Sequence, residues 1–357
     1  MKIRPIAFHL PQFHPIPENN EWWGNGFTEW TNVTKAKPLF QGHYQPHLPA
    51  DLGFYDLRLA ETRIAQAELA RQYGLYGFCY YHYWFNGKRL LNRPLDDMIT
   101  SRTPDFPFML CWANENWTRR WDGLEQEVLI SQTYSHEDDL RHIQFLCKKF
   151  FSDARYIRVN GKPFLLIYRP ALFPDIKRTL SIYREEALKQ GIGELYLGYV
   201  QHFSFKKDPA EYGFDCAIEF QPDFDKLPIK SASFAARVKN KLGIQASPFI
   251  ENTIVSYPEF VDRMIAKPKN EKTTFPGITP GWDNSARRQK GATIFIDSDP
   301  VHYERWLKSI KEKYKGEETF LFINAWNEWA EGSHLEPCQK WGKHYLEITA
   351  KTLNELL

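Results

Sequence analysis

Cysteine is scarce in this 357-residue sequence, and its distribution argues against two common kinds of structural site. The five cysteines lie far apart, and no two of them have the Cys-x-x-Cys spacing. The sequence therefore indicates neither a zinc knuckle nor a disulfide framework. Thiols scattered in this way are typical of a protein from a reducing compartment. The cysteines are Cys79, Cys111, Cys147, Cys216 and Cys338.

A long apolar run is also absent, so the sequence predicts no membrane-spanning helix. The chain leads from Met1 into a short apolar run, without the apolar core and small-residue cleavage site of a signal peptide. Charge is nearly balanced, with 46 basic and 44 acidic residues and a net charge of +2. This balance favours neither nucleic acid nor an anionic membrane as the main partner. We therefore expect a soluble, cytoplasmic protein, and nothing in the sequence indicates its oligomeric state.

Two further absences argue against a metal ion and a nucleotide cofactor. The histidines near the amino terminus have no His-x-His or HExxH spacing, so no metal site is predicted. A dinucleotide-binding fold would place a Gly-rich turn after its first strand, but Leu10–Pro15 stands there instead. We accordingly predict no metal and no cofactor. The histidines considered are His9, His14, His43, His47 and His82.

Aromatic residues, by contrast, are abundant, at 16% of the chain with 12 tryptophans. Indole rings stack on the apolar faces of sugar rings, so a tryptophan-rich cleft would suit a glycan. Tryptophan and tyrosine also fill large cores, and composition by itself favours that simpler explanation.

Short apolar segments alternate with longer helical patterns along the chain. Eight strands are predicted: Ile3–His9, Gly74–Tyr83, Phe106–Trp112, Phe164–Tyr168, Leu195–Val200, Cys216–Phe220, Phe275–Thr279 and Thr319–Trp326. Helices are predicted around Leu59–Ala70 and at Ser135–Phe151, Asp175–Gln190, Pro300–Tyr314 and Tyr345–Leu357. Eight interleaved units of this kind predict an α/β protein, namely a (β/α)8 barrel of the TIM type with extended loops at its C-terminal face. We predict one catalytic domain over residues 1–357, with a loop insertion at 223–272.

Polar and aromatic side chains collect where the predicted strands end. In a parallel barrel these ends meet at one face, where active sites are built. Polar residues also end strands for ordinary reasons, but all eight predicted strands show the pattern. The candidate substrate-binding residues from this pattern are His9, Tyr81, His82, Trp84, Trp112, Asn114, Glu115, Trp117, Tyr168, His202, Glu219, Trp282, Asp283 and Asn327.

The segment WNEWAEG at residues 326–332 carries the candidate catalytic pair, Glu328 and Glu331. Cleavage of a glycosidic bond needs one group that protonates the departing oxygen and another that stabilises or traps positive charge at the anomeric carbon. Two glutamates three residues apart, just past a strand, can project into one cleft. Trp329 would add an apolar wall that raises a carboxyl pKa. The simpler alternative is a helix amino terminus with acidic residues facing the helix dipole.

A second cluster mixes carboxylates, amides and indoles in the long excursion after the first strand. It serves either as a sugar-stacking platform or as a well-packed loop, and the sequence leaves both interpretations open. Its candidate substrate-binding residues are Trp22, Trp23, Glu29 and Trp30.

Five phrases of the sequence also resemble a known family: LPQFHPIPENNEWWGNGFTEW (10–30), FCYYHYWFNGKRLL (78–91), CWANENWTRRWDG (111–123), PGWDNSARR (280–288) and WNEWAEGSHLEP (326–337). Together they are similar to the WbsX-type family, whose members are called glycosyltransferases of O-antigen and other surface-polysaccharide clusters. That family is in turn similar to the endo-α-1,2-mannosidases and mannanases of glycoside hydrolase family 99, which are (β/α)8 barrels. The phrases fit the WbsX-type pattern better, so mannose specificity is not carried over.

The resemblance implies unequal roles for the two glutamates. In the family-99 hydrolases the first glutamate of the matching motif deprotonates the sugar 2-hydroxyl, which attacks the anomeric carbon and gives a 1,2-anhydro sugar. The second acts as general acid and then as general base. Resemblance therefore implies the base role for Glu328 and the acid/base role for Glu331.

Three functions follow as hypotheses. The first is metal-independent, retaining cleavage or transglycosylation inside a bacterial surface polysaccharide, such as O-antigen in lipopolysaccharide biosynthesis. The second is a sugar-nucleotide-dependent glycosyltransferase, for which Asp223-Phe224-Asp225 has the letters of a DxD metal motif. The third is a non-catalytic glycan-binding barrel. An oligo- or polysaccharide is the expected partner in all three.

Overall fold

The structure, a computed structural model, describes residues 2–119, 124–201, 205–230, 248–271, 273–288 and 290–353. Parallel strands form its centre. We number them β1 (Lys2–His9), β2 (Gly77–Phe85), β3 (Phe108–Trp112), β4 (Lys162–Ile167), β5 (Tyr196–Gln201), β6 (Cys216–Glu219), β7 (Thr274–Phe275 continued by Gly277–Ile278) and β8 (Glu318–Ile323).

The parallel strands form a nearly closed ring. Strands β1 to β6 pair in sequence order, and β8 pairs with β1. The two segments of β7 complete the ring, because Thr274–Phe275 pairs with β6 and Gly277–Ile278 pairs with β8. Between these segments the carbonyl of Pro276 accepts a hydrogen bond from the Phe322 backbone N–H at 3.0 Å. The predicted (β/α)8 barrel is confirmed.

Helices connect the strands and pack around them. They are α1 (Pro17–Trp23), α2 (Glu29–Lys35), α3 (Ala60–Gln72), α4 (Arg93–Ser101), α5 (His136–Leu146), α6 (Ile176–Lys189), α7 (Pro248–Glu251), α8 (Tyr257–Ala266), α9 (Pro300–Lys313) and α10 (His344–Leu353). The predicted start of α5 is confirmed, since the Ser135 hydroxyl accepts from the Asp138 backbone N–H at 3.1 Å. Gly191, just past α6, has the left-handed φ of 73° that glycine allows.

Short secondary strands decorate the barrel. Antiparallel pairs join Lys88–Leu90 to β2, Arg158–Val159 to β4, Trp117–Arg119 to Leu124–Ile130, and Asn327–Glu328 to Ser333–His334. A parallel pair joins Thr253–Ser256 to Thr293–Ile296. The range 223–272, predicted as a loop insertion, thus contains the strand Thr253–Ser256 and helix α8 in its described part. Helix α8 contributes to the helix layer, where Phe260 meets Trp306 of α9 edge to face at 5.7 Å.

Strand alternation divides the side chains between two environments. Phe8, Tyr81 and Phe220 point into the barrel, where Phe8 lies 5.5 Å from Tyr81 and 6.0 Å from Phe220 between ring centroids. Their sequence neighbours point outward to the helix layer. Side chains of the first kind approach the mouth of the barrel, whereas those of the second kind pack under helices. Among the described residues no helix is long and apolar enough to cross a membrane.

Candidate active site

The candidate pair lies on a tight hairpin that follows β8. The chain runs through the short strand Asn327–Glu328, makes a 3-10 turn at Trp329–Glu331 and returns as Ser333–His334. Gly332 makes the return with a left-handed φ of 59°. A Cβ atom there would lie 2.9 Å from Cβ of Asp283 and 3.0 Å from its backbone nitrogen, so the turn requires glycine for space as well as conformation.

Arg287, from the loop after β7, joins the two glutamates to a third carboxylate. Its Nη2 donates to Oε2 of Glu328 at 3.2 Å, and its Nη1 donates to Oε1 of Glu331. Its Nε and Nη2 also donate to Oε2 of Glu29 at 3.1 and 2.8 Å. Glu29 and Glu328 are buried, and Arg287 and Glu331 are partly buried. One guanidinium therefore holds three carboxylates together at the carboxyl end of the barrel.

The cluster changes the acidity of its members. Burial raises the pKa of Glu328 well above its ordinary value, the charge of Glu331 raises it further, and Arg287 opposes both. Burial alone would lower the pKa of Arg287, but the carboxylates of Glu29, Glu331 and Glu328 raise it. Arg287 therefore favours the ionised forms of the carboxylates, whereas burial and the charge of Glu331 favour the protonated form of Glu328.

Aromatic side chains adjoin the cluster. The ring of Trp117 meets Tyr83 edge to face at 5.3 Å, and Trp22 meets Trp117 at 5.7 Å. All three rings are partly exposed. Burial raises the pKa of Tyr81 and Tyr83, and the charge of Glu328 contributes to both shifts, which places these tyrosines beside the glutamate. The cluster of carboxylates is thus bordered by partly exposed aromatic side chains.

A second ion pair stands at the ends of β3 and β4. The carboxylate of Glu115 contacts the guanidinium of Arg169, and both side chains are partly exposed. Asn114 positions the pair, because its side chain donates to the Arg169 carbonyl at 2.9 Å and accepts from the Arg169 N–H at 2.8 Å. Burial raises the pKa of Tyr168, and the charges of Glu115 and Glu331 raise it further.

Comparison with known proteins assigns the family. The sequence model of the family described as "Glycosyltransferase WbsX" matches residues 5–349. The chain belongs to the WbsX family. It is 43% identical over 352 residues to "Uncharacterized protein WxcX" of two strains of Xanthomonas campestris pv. campestris, covering 98% of this chain and 49% of each relative. The chain thus spans about half the length of these curated relatives. By its description, the WbsX family is one of carbohydrate-active enzymes.

Two solved structures share the fold of this WbsX family member. A "Glycoside hydrolase-like protein" superposes with a TM-score of 0.60 at 11% identity, covering 99% of this chain and 95% of the other. The GH99 endo-alpha-mannosidase of Bacteroides thetaiotaomicron, in complex with bis-tris-propane, gives 0.58 at 13% identity, with 98% and 96% covered. At such low identity these likenesses concern the fold.

Four of the predicted substrate-binding residues point away from the barrel mouth. His9 lies against helix α3, with Nε2 at 3.2 Å from the Gln66 side chain, and burial lowers its pKa to about 4. His82 lies at 3.0 Å from His142 of α5. The indole of Trp84 donates to Asp138 of the same helix at 3.0 Å, and that of Trp112 donates to the Trp84 carbonyl. The prediction that all side chains at the strand ends face the barrel mouth is wrong for these four residues. Successive side chains of a strand point to opposite faces, so every second one points outward to the helices.

Glu219 also departs from the prediction. Its carboxylate pairs with Lys267, which follows α8, and accepts from the Asn270 side chain at 3.3 Å. Glu219 shares Lys267 with Asp223, whose carboxylate also binds Lys206 at 2.8 Å. Asp225 pairs with Lys206 at 2.9 Å. Both aspartates of the DxD sequence therefore form ion pairs with lysines. Within the described residues, no group of three or more His, Cys, Asp or Glu side chains is placed to hold a metal ion.

Several other predicted residues stabilise the hairpin and do not line the cleft. Asn327 accepts from the Leu10 N–H at 2.7 Å and donates to the Leu10 carbonyl at 3.0 Å, which ties the hairpin to the end of β1. Trp329 is buried, and its ring stacks on His334 at 3.8 Å. Trp30 packs on Trp329 at 5.6 Å and donates to the Tyr55 carbonyl. These side chains hold the loop and are not walls of the cleft.

The remaining predicted residues fall at the margins. Asp283 is buried, lies 2.6 Å from Nε2 of His43, and donates its backbone N–H to the Glu331 carbonyl at 2.6 Å. Trp282 packs edge to face on Phe224 at 5.4 Å. Trp23 is partly exposed, near Phe27. His202 lies outside the described residues.

Three residues of the site were not among the sequence-based candidates: Arg287, Tyr83 and Glu336. Arg287 and Glu336 both occur in the phrases that carry the family resemblance, which was the available signal. The buried Glu336 carboxylate accepts from Trp329 Nε1 at 2.6 Å, the Tyr55 hydroxyl at 2.8 Å and Gln66 Nε2 at 2.7 Å. Burial raises its pKa to about 7 although these hydrogen bonds oppose the shift. Glu336 therefore supports the hairpin that carries Glu328.

Proposed function

We propose that this protein cleaves glycosidic bonds within a bacterial surface polysaccharide and passes the glycosyl group to water or to another sugar, with retention of configuration. The main support for the proposal is that Glu328 and Glu331 both bind the guanidinium of Arg287. Two carboxyl groups so close together, at the carboxyl end of a (β/α)8 barrel, match the needs of glycoside cleavage.

In the proposed reaction Glu328 takes the proton of the sugar 2-hydroxyl, and that oxygen attacks the anomeric carbon. Glu331 donates a proton to the departing glycosidic oxygen as the bond to it breaks. The product of this step is a 1,2-anhydro sugar. Glu331 then removes a proton from the acceptor, whose oxygen opens the anhydro ring, and Glu328 returns its proton to the 2-hydroxyl. Two inversions at the same carbon give net retention.

The surroundings suit a neutral, ring-shaped substrate. Trp22, Trp117 and Tyr83 offer partly exposed aromatic faces. Glu115 and Arg169, at the ends of β3 and β4, offer hydrogen-bond acceptors and donors for hydroxyl groups. Apolar walls with a few fixed polar groups are typical of small-molecule and sugar sites.

The two other hypotheses have less support. A sugar-nucleotide transferase would use free acidic groups for a metal, but Asp223 and Asp225 are bound by Lys206 and Lys267. Calorimetry with nucleotide sugars, with and without manganese, would reveal such an activity. A non-catalytic binding barrel gains little from placing three acids on one guanidinium, because each costs desolvation energy.

The test is turnover of defined bacterial surface polysaccharides, followed by mass spectrometry of the products. We expect Glu331→Gln and Glu328→Gln each to lose at least about a hundredfold in kcat, the usual contribution of general acid–base catalysis. Glu318→Gln is the matched control, since Glu318 is exposed and pairs with Arg4 at the opposite end of β8. Full turnover by Glu331→Gln would exclude the proposal. Incorporation of ¹⁸O from labelled water would separate hydrolysis from transfer.

A further inference from the structure

The arrangement around Arg287 is more than a pair of salt bridges. Its guanidinium meets three carboxylates whose side-chain exposures are 0% for Glu29, 7% for Glu328 and 20% for Glu331, and it is itself 11% exposed. Buried charges of like sign repel strongly, so three acids on one cation favour a bound proton within the cluster. The location of that proton decides which glutamate is an acid and which is a base.

Glu29 fixes Arg287 rigidly. Its Oε2 accepts both hydrogen bonds from Arg287, while its Oε1 accepts from the side chain of Asn32 at 3.3 Å. The backbone is fixed as well, because the Glu29 N–H donates to the Gln12 carbonyl at 3.1 Å. Arg287 is thus held by Glu29 through Nε and Nη2, and it presents Nη1 to Glu331 and Nη2 to Glu328.

We propose that Arg287, anchored by Glu29, is a positioning residue that determines whether Glu328 or Glu331 holds the proton with which catalysis begins. This inference rests on the proposed function. In the structure Arg287 binds both carboxylates, while burial and the charge of Glu331 favour the protonated form of Glu328. The proposed reaction needs the reverse, with Glu328 ionised and Glu331 protonated.

The exchange conserves charge and atoms. One proton leaves an oxygen of Glu328 and is taken up by an oxygen of Glu331, so the total charge of the cluster is unchanged. Nη1 then faces a neutral acid, whereas Nη2 pairs with a new carboxylate. Because both nitrogens belong to one anchored guanidinium, Arg287 stabilises the ionised member in either arrangement without moving far.

Several titratable groups face Glu328 and influence its pKa. Glu29 comes from α2, Arg287 from the loop after β7, Glu331 from the same turn, and Tyr81 and Tyr83 from β2. The tyrosines are neutral at ordinary pH since burial raises their pKa. Among these groups Arg287 favours ionisation of Glu328, whereas Glu29 and Glu331 disfavour it. Removing Arg287 and removing the charge of Glu29 should therefore shift the pKa of Glu328 in opposite directions.

The experiment is a ¹³C NMR titration of the glutamate side-chain carboxyl groups in the full chain, with Glu328 assigned from the spectrum of Glu328→Gln. We expect Arg287→Gln to raise the midpoint of Glu328 by about one to three pH units, as loss of a close opposite charge does. Glu29→Gln should lower it. Arg287→Lys, which keeps the charge, should leave a smaller rise than Arg287→Gln. The matched control is Arg184→Gln, which removes an arginine paired with Asp215.

The outcomes separate the inference from the proposed function. Shifts of the same sign in Arg287→Gln and Glu29→Gln, or no shift in either, overturn the inference. If Arg287→Gln does not fold because Glu29 is left unpaired, Glu29→Gln and Arg287→Lys still test whether the pKa of Glu328 shifts in opposite directions. The proposed function fails instead if Glu331→Gln keeps full turnover, whatever the titration shows. On a cleaved glycan, the acid limb of kcat should follow the Glu328 midpoint in each variant.

Discussion

Arg287 and Glu29 lie 258 residues apart in the chain and meet through two hydrogen bonds to a single carboxylate oxygen, at 3.1 and 2.8 Å. The contact joins the loop after β7 to the first turn of α2. It places a cation next to Glu328 and Glu331, which come from a third part of the chain. The candidate site is therefore assembled from three separate parts of the chain at one face of the barrel.

The first prediction concerns the stability that this contact provides. Glu29→Ala leaves Arg287 beside the other two carboxylates but removes its anchor, and the free energy of unfolding should fall by about 1.5–3 kcal/mol, the usual contribution of hydrogen bonds to a charged group. Urea unfolding followed by tryptophan fluorescence measures it. Glu318→Ala serves as control, since an exposed pair contributes about 0–1 kcal/mol. Equal losses in both variants would contradict a buried, anchored Glu29.

The second prediction concerns Glu336 and pH. Its pKa is about 7 in the folded protein against an ordinary 4.5, so the folded state binds the proton more tightly than the unfolded state. Stability from this group is therefore present below about pH 4.5 and is lost as pH rises through about 7, by roughly 3 kcal/mol in total. Glu336→Gln should flatten this part of the stability–pH curve. An unchanged slope between these values would mean that Glu336 titrates normally.

The third prediction concerns Gly332. An alanine there would meet Asp283 at 2.9 Å in a left-handed conformation, and would push the Asp283 loop away from Glu331. Gly316 is a matched control, because its φ of 87° is also positive but a Cβ atom added there would have no atom within 4 Å. Gly316→Ala should cost about 1–2 kcal/mol from the backbone alone, and Gly332→Ala clearly more, with loss of turnover. Equal costs in urea unfolding would argue against the steric contact.

The fourth prediction concerns the aromatic wall. Trp117→Ala should raise KM on a cleaved glycan roughly tenfold, which corresponds to about 1.4 kcal/mol of binding, with a smaller effect on kcat. Trp84→Phe is the contrasting variant, because Trp84 packs under α5 and donates to Asp138. It should lower the free energy of unfolding and leave KM unchanged. A change of KM in Trp84→Phe alone would reverse the assignment of the two rings.

Much of the fold was predictable because apolar periodicity and helix caps are local properties. All eight strand positions agree with expectation, as do the start of α5 after Ser135 and the end of α6 at Lys189, one residue before the predicted Gln190. The interruption of β7 at Pro276 and the helix α8 inside 223–272 were not predicted. Both depend on contacts with neighbouring strands and helices, which a single segment does not display.

The candidate site, like the fold, was only partly predictable from the sequence. The sequence by itself determined that Glu328 and Glu331 stand three residues apart after a strand, and the family resemblance assigned them roles. Tertiary structure alone decided that four predicted binding residues face helices: His9, His82, Trp84 and Trp112. Side chains alternate along a strand, and pairing with the neighbouring strands sets which alternate set points into the barrel. It also decided that Arg287 and Glu29 complete the cluster. Electrostatic partners are chosen by distance in space, and the chain brings these groups together only when the barrel closes.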